Sequence, residues 1–267
     1  MRAYFLVLVG IVVGGGCATS TPRSPQTLAV APTDVNSPGE TAADELEEEL
    51  SNKRATIADP LEPVNRIMYG FNDVLYFWVV RPVSQAYAFV MPKPARIGIG
   101  NFFHHLETPV RVVNCLLQGK GAAADTELHR FVVNTTAGVL GFGDPAHDRL
   151  GLEPADEDLG QTLGVYGLGN GCYLVLPLFG PSTLRDSVGM LGDQFLSPVW
   201  YVETEEVSIG ISAVDVVNGR SLHIGEYESF KAAAVDPYVA MREAYVQYRR
   251  NQVQGENPPT AREDGKP

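Results

Sequence analysis

Long apolar runs, basic residues and cysteines are all scarce in this chain. The run at its start, Tyr4 to Val13, covers ten residues, far below the roughly 20 that a membrane-spanning helix needs. Lys and Arg number 20 against 32 Asp and Glu, so the net charge is −12. That balance excludes nucleic acid as a partner, because such binding rests on basic surface. It equally excludes docking on anionic lipid by charge alone, so any membrane contact must come from apolar surface or a covalent lipid. Charged residues make up only 19% of the chain while 45% is hydrophobic, which is enough to fold one sizeable domain. No internal repeat of fixed period is visible.

A catalytic set is also missing. Gly167-Leu168-Gly169-Asn170-Gly171 lacks the full dinucleotide spacing and reads as a turn. Gly180-Pro181-Ser182-Thr183-Leu184 lacks the second glycine of a nucleophile elbow, and Ser182 reads better as a helix N-cap. His104 and His105, with Glu107 nearby, point to different sides of a helix and make a poor metal site. His129, His147 and His223 have no legible partners. Glu153, Asp156, Glu157 and Asp158 form an acidic stretch without the EF-hand layout, and a solvated loop is expected. Arg185-Asp186 is an adjacent pair of opposite charge just inside a capped helix, for which a plain surface or capping pair is the simple reading. No cofactor and no metal is therefore expected.

What is present begins at the N-terminus. Arg2, the short apolar core and Gly14-Gly15-Gly16 make a secretory signal over residues 1–16. Cys17 follows directly, in the layout of a bacterial lipobox, where it would be lipidated and become the new N-terminus. Gly14 stands where a large apolar residue is usual, so an ordinary secreted protein with a nearby cysteine is the alternative. Ala18 rather than aspartate after the cysteine favours the outer membrane. Residues 17–57, rich in Ser, Thr and Pro and then acidic from Asp44 to Glu49, read as a disordered tether. Residues 251–267 read as a disordered tail. With Cys17 lipidated, Cys115 and Cys172 remain, either bonded to each other or as two buried thiols.

Between tether and tail, over residues 58–250, the pattern is helical almost throughout, so the fold class is all-α. Asp59-Pro60-Leu61-Glu62 reads as an N-cap, a proline at the first helical position and an acid in the first turn. Val64, Ile67, Met68, Phe71, Val74, Leu75 and Trp78 then recur at three- and four-residue steps. Arg81-Pro82 is expected to break or kink this stretch. Further helices are expected from Pro94, from Thr108-Pro109 to Gly119 and from about Ala122 to Leu140. Others should run from Ser182 toward Phe195, from Thr204 to Leu222 and from Asp236-Pro237 to about Gln252. Two features are odd for a water-soluble bundle. Leu75 to Val80 is apolar around the whole helix, and Gly98, Gly100, Gly138, Gly141 and Gly143 would let backbones approach closely, as in membrane packing. A well-packed helical core and a domain half-immersed in one leaflet both fit.

Several segments, taken in order, carry a resemblance. They include Asp59-Pro60-Leu61-Glu62-Pro63-Val64-Asn65-Arg66, Val79-Val80-Arg81-Pro82-Val83 and Pro92-Lys93-Pro94-Ala95-Arg96. Glu107-Thr108-Pro109 and Arg130-Phe131-Val132-Val133-Asn134-Thr135 follow. Then come Asp158-Leu159-Gly160-Gln161-Thr162-Leu163-Gly164, the run Tyr173 to Ser182, Leu184-Arg185-Asp186 and Asp236-Pro237-Tyr238. Their order and spacing resemble the MlaA/VacJ family of outer-membrane lipoproteins over about residues 58 to 250. The resemblance implies a single ring-like helical domain lying in one leaflet of the outer membrane, with a polar-to-apolar channel through it. It implies removal of stray phospholipid from the outer leaflet, transfer to a periplasmic lipid-binding carrier, and association with a trimeric porin. Arg185 and Asp186 match the family's Leu-Arg-Asp segment and become channel-lining candidates. Phe71, Leu75, Phe77 and Trp78 become lipid-facing candidates, and Gly164 to Gly171 a turn that limits access. A lipid hydrolase and a structural lipoprotein bracing a porin are the competing readings.

Overall fold

The computed structural model describes residues 57–255. The expected signal peptide, Cys17, residues 17–56 of the tether and the tail from residue 256 lie outside the described residues. Within them the chain is helical apart from one hairpin, β1 (Tyr173–Leu176) paired antiparallel with β2 (Gly180–Thr183). The helical class stands and the hairpin is an addition to it. A run of aromatic, Leu and Val residues with no polar interruption forms β1, and all four are buried.

Helix α1 spans Glu62–Leu75. It opens two residues later than expected, because Asp59 is not its cap: the carboxylate accepts from Asn65 Nδ2 at 2.8 Å, from Arg242 Nη1 at 3.2 Å and from the Tyr238 hydroxyl. A cationic guanidinium outcompetes a backbone N–H for the same oxygen. Asn65 and Asn72, two turns apart on one face of α1, cover the free edge of β1. Asn65 donates to the Tyr173 carbonyl and accepts the Val175 N–H, each at 2.9 Å. Asn72 donates to the Leu176 carbonyl at 2.9 Å and accepts the Leu178 N–H at 2.8 Å. Two side-chain amides thus stand in for a third strand and satisfy backbone groups that would otherwise be buried unpaired.

Pro82 does not break the helix. Tyr76–Val80 widens into a π turn, with the Arg81 N–H reaching the Tyr76 carbonyl, and α2 (Arg81–Val90) continues from it. The wider turn makes room for a ring that would clash in an α register. At Pro92 the chain turns back into α3 (Lys93–Leu106), and the bend between the two arms is 119°. No single helix among the described residues is long and apolar enough to cross a membrane, although this bent pair together meets that length and composition.

Helices α4 (Thr108–Leu117) and α5 (Gly121–Thr136) pack together. α5 ends four residues before the expected Leu140, because Val139, Leu140 and Gly141 all take positive φ in a tight turn. A Cβ on Gly141 would sit 2.5 Å from the His105 ring. α6 (Pro145–Leu150) and α7 (Leu159–Val165) are capped by Asp144 and Asp158. α8 (Leu184–Gln194) is capped by Thr183, which accepts the Asp186 N–H, and not by Ser182, whose hydroxyl is buried against Ser187 at 2.9 Å. Ser182 is one strand residue too early to reach the helix. A 3₁₀ turn (Pro198–Tyr201), α9 (Glu205–Leu222) and α10 (Glu226–Ala233) follow, and α11 (Pro237–Gln254) starts from the expected Asp236 cap.

The polarity is inverted relative to a water-soluble bundle. Asn65, Asn114, Glu127, Gln161, Asp186, Asn218 and Arg249 are buried, while Trp78 is 79% exposed and Phe89 92%. A small apolar core of Tyr173, Val175 and Tyr238 joins the hairpin to α1 and α11. Cys115 and Cys172 are both buried and are not bonded to each other, and burial pushes the Cys115 thiol up to about 11. α7 and α8 cross so closely that a Cβ on Gly189 would lie 2.3 Å from the Gly160 nitrogen and 2.6 Å from its Cα. Gly189→Ala is therefore expected to destabilise the protein by about 3 kcal/mol in chemical unfolding of the detergent-solubilised chain. Gly70→Ala, with open space around it, should instead gain about 0.5–1 kcal/mol.

Candidate functional site

The site is built around one guanidinium. Arg249 projects from the last turns of α11 and meets two carboxylates from two other helices. Its Nη1 and Nη2 donate to Asp158 at 2.6 and 2.8 Å, the bidentate arrangement in which planar groups match. Its Nη2 and Nε donate to Asp186 at 2.9 and 3.2 Å. Asp186 also accepts from Arg185 Nη2 at 2.8 Å and from the Tyr245 hydroxyl at 2.9 Å. Burial opposes ionisation of both carboxyls, but the adjacent guanidinium outweighs it and holds each below the usual carboxylate range. The same two carboxylates overcome burial at Arg249 and raise its pKa.

Local structure explains why these groups meet. Asp158 is the N-cap of α7, accepting the Gln161 N–H at 2.8 Å, and its remaining capacity faces α11. Asp186 sits in the first turn of α8, where the helix N-terminus favours an acid. A second buried group lies beside them: Arg111 of α4 donates to Glu127 of α5 at 2.8 Å, and Glu127 accepts the Ala155 N–H at 2.8 Å. This anchors the 151–158 segment over the bundle.

These groups border a cavity of about 430 Å³, within the range of about 300–1,000 Å³ common to ligand pockets. Its wall mixes charge with apolar and aromatic surface: Glu107, Arg111, Asp156, Glu157, Asp158, Asp186, Asp193 and Arg249 stand with Val110, Met190, Tyr245 and Tyr248. Glu107 is exposed to this space, yet the protein around it withholds enough water that desolvation raises its carboxyl, with Asp215 adding to the effect and Arg111 opposing it. Desolvation likewise raises Asp193, which among the described residues accepts from the Leu159 N–H at 2.9 Å and Asn114 Nδ2 at 2.8 Å.

Residues 57–252 match the family model described as MlaA lipoprotein. The chain belongs to that family. It is 40% identical over 195 residues to the intermembrane phospholipid transport system lipoprotein MlaA of Escherichia coli (strain K12), covering 71% of this chain and 76% of the relative. It is 32% identical over 192 residues to the protein of the same name in Haemophilus influenzae, with 71% and 76% covered. A chain solved in work on the structural basis for maintenance of bacterial outer membrane lipid asymmetry superimposes with a TM-score of 0.66 at 35% identity, over 73% of this chain and 99% of that one.

In this MlaA-family chain, the residues singled out from sequence fall in different places. Asp186 borders the cavity, whereas Arg185 stands behind it and orients its carboxylate. Phe71 and Trp78 point outward at 50% and 79% exposure. Leu75 is half-buried, and Phe77 packs on Tyr76 and Tyr227 with Lys231 over its ring at 5.0 Å. The acidic stretch is not simply solvated. Glu157 pairs with Lys120 at 2.6 Å, Asp158 with Arg249, and Asp156 lies 3.4 Å from His104. Among the described residues no group of three or more His, Cys, Asp or Glu could hold a metal ion. Arg249, Asp193 and the Arg111–Glu127 pair were missed from sequence. The one available signal was a charged residue four places after Tyr245, on the face of α11 that is otherwise turned inward.

Two outcomes follow from the paired carboxylates. Their folded pKa values are depressed, so their stabilisation is complete above the unfolded value of about 4 and is lost as pH falls through the folded values. Acid titration of unfolding should show that loss. Arg249→Met takes the shared cation from both carboxylates and leaves Asp186 with Arg185 alone as its cation, and should cost about 3 kcal/mol at neutral pH. In that variant the carboxyls are depressed less, because Arg185 and the Gln161 bonds are left without Arg249 to favour their ionised forms, so acidification should cost the variant less stability than it costs the parent.

Proposed function

We infer that this chain is an outer-membrane lipoprotein of an intermembrane phospholipid transport system, and that it removes mislocalised phospholipid from the outer leaflet to keep the membrane asymmetric. The observation that carries the reading is the inverted polarity: apolar side chains cover the outside while a charged cavity occupies the inside. A phospholipid needs that combination, since a headgroup leaving water without partners is costly and its chains gain nothing from polar walls. The cavity is then the polar stretch of the route, with Asp186 on its wall and Arg185 holding Asp186 in place. The outward aromatic and aliphatic residues of α1 and α2, Phe71, Trp78 and Phe89 among them, face acyl chains.

Cys17 is proposed as the lipid anchor, with the domain on the periplasmic face and the acidic segment before residue 58 as its tether. A trimeric porin and a periplasmic lipid-binding carrier are the proposed partners. Transfer needs no bond-breaking step: a conduit lets lipid run toward whichever partner binds it more tightly. The reading as a lipid hydrolase has less support, because Ser182 is buried against Ser187 and away from any histidine bond.

The test is the amount of phospholipid in the outer leaflet of cells with and without the gene. Deletion should raise it, and the intact gene should restore it. Met190→Trp, which fills the cavity from α8, should fail to restore it at equal protein level. No rise on deletion in a strain lacking outer-leaflet lipases would sink the transport reading and favour porin bracing.

A further inference from the structure

Charge on the cavity wall is unevenly settled. Both guanidiniums are already engaged: Arg249 by Asp158 and Asp186, and Arg111 by Glu127 at 2.8 Å, the His104 carbonyl at 2.8 Å and Thr108 Oγ1 at 3.2 Å. Lys120 is paired with Glu157 at 2.6 Å. The carboxylates are not all so matched. Glu107 makes no side-chain hydrogen bond or ion pair among the described residues. Asp193 is held only by neutral N–H donors. Asp156 faces His104, which is a cation only when protonated.

We propose that this cavity selects phospholipids by headgroup charge, admitting those that carry an ammonium group and disfavouring those whose headgroup is net negative. The proposal rests on the transport reading and names its substrate class. An ammonium brings three donors and a positive charge to Glu107, which has no side-chain partner among the described residues, and a positive charge to Asp193, which is held by neutral donors. An anionic headgroup brings a further negative charge into a concave space, where like charges are screened poorly, and finds every guanidinium on the wall occupied. The phosphate of a zwitterionic lipid still finds a donor. Tyr248 accepts from Gln252 Nε2 at 2.7 Å, so its own hydroxyl proton is free to donate.

The experiment uses the full lipidated chain in detergent with equimolar phosphatidylethanolamine and phosphatidylglycerol of identical acyl chains, and quantifies bound lipid by mass spectrometry. The intact chain should retain phosphatidylethanolamine in about threefold excess or more, and rising salt should shrink that excess. Glu107→Gln should reduce the ratio and Glu107→Lys should invert it. Asp156→Asn is a second variant that touches no buried pair and should also reduce the ratio. Equal retention of both lipids by the intact chain, or a ratio that Glu107→Lys leaves unmoved, overturns the selectivity while leaving transport intact. Retention of neither lipid overturns both.

Discussion

Arg249 sits where three helices must agree. It reaches the cap residue of α7, the first turn of α8 and, through Gln252, its own helix. A buried guanidinium without partners is among the costliest groups a fold can carry, and a buried carboxylate without a cation is nearly as costly. Arg249 therefore requires both carboxylates, and Asp186, though Arg185 also reaches it, is held against α11 through Arg249. The arrangement also fixes what surrounds it. Asp158 cannot turn to Arg249 unless α7 begins where it does, and Asp186 cannot unless Thr183 starts α8. The close crossing at Gly160 and Gly189 then brings the two carboxylates within reach of one cation.

The inverted polarity makes such pairs necessary. Where the outside of a helix faces acyl chains, burying apolar surface between helices gains little, because lipid is as apolar as the core. Cohesion must come from polar bonds and close backbone approach. The junction of α2, α3 and α9 shows the same solution as the Arg249 site. Tyr87 donates to Asn218 at 3.0 Å, Asn218 donates to the Arg96 carbonyl at 2.9 Å, and Arg96 donates to the Ser221 carbonyl at 2.6 Å. Asn65 and Asn72 at the hairpin are a third case. In each, a polar side chain on one element satisfies a polar group of another.

This inversion also explains what could be read from the sequence. The helix start at Asp236-Pro237 was legible because Asp236 accepts the Tyr238 and Val239 N–H groups within three residues, even while Arg66 shares its carboxylate. Starts failed where a longer-range partner took the cap: Asp59 went to Tyr238 and Arg242, and Ser182 to Ser187. Pro82 misled for a local reason, since a π turn is a register change that composition does not reveal. The hairpin lay inside a segment notable only as part of a family pattern. At the site, Arg185-Asp186 drew attention as neighbours in the chain. Their decisive partner, Arg249, is 63 residues beyond Asp186, and no periodicity links the two. The acidic stretch looked solvated because its cations come from other helices.

A conduit has a constraint that a binding protein lacks: the cargo must be able to leave. A lipid route lined by free arginines would hold phosphates firmly and release them slowly. Here the cations on the cavity wall are spent on the protein's own carboxylates, so they keep the space wet without offering an unshared charge to a phosphate. The carboxylates left over, Glu107 and Asp193, are ones that desolvation has already pushed toward the neutral form. Their attraction for a passing ammonium is correspondingly mild. In the proposed conduit, a wall polar enough to admit a headgroup, with no unshared guanidinium to hold its phosphate, leaves the direction of flow to whichever side binds lipid more tightly.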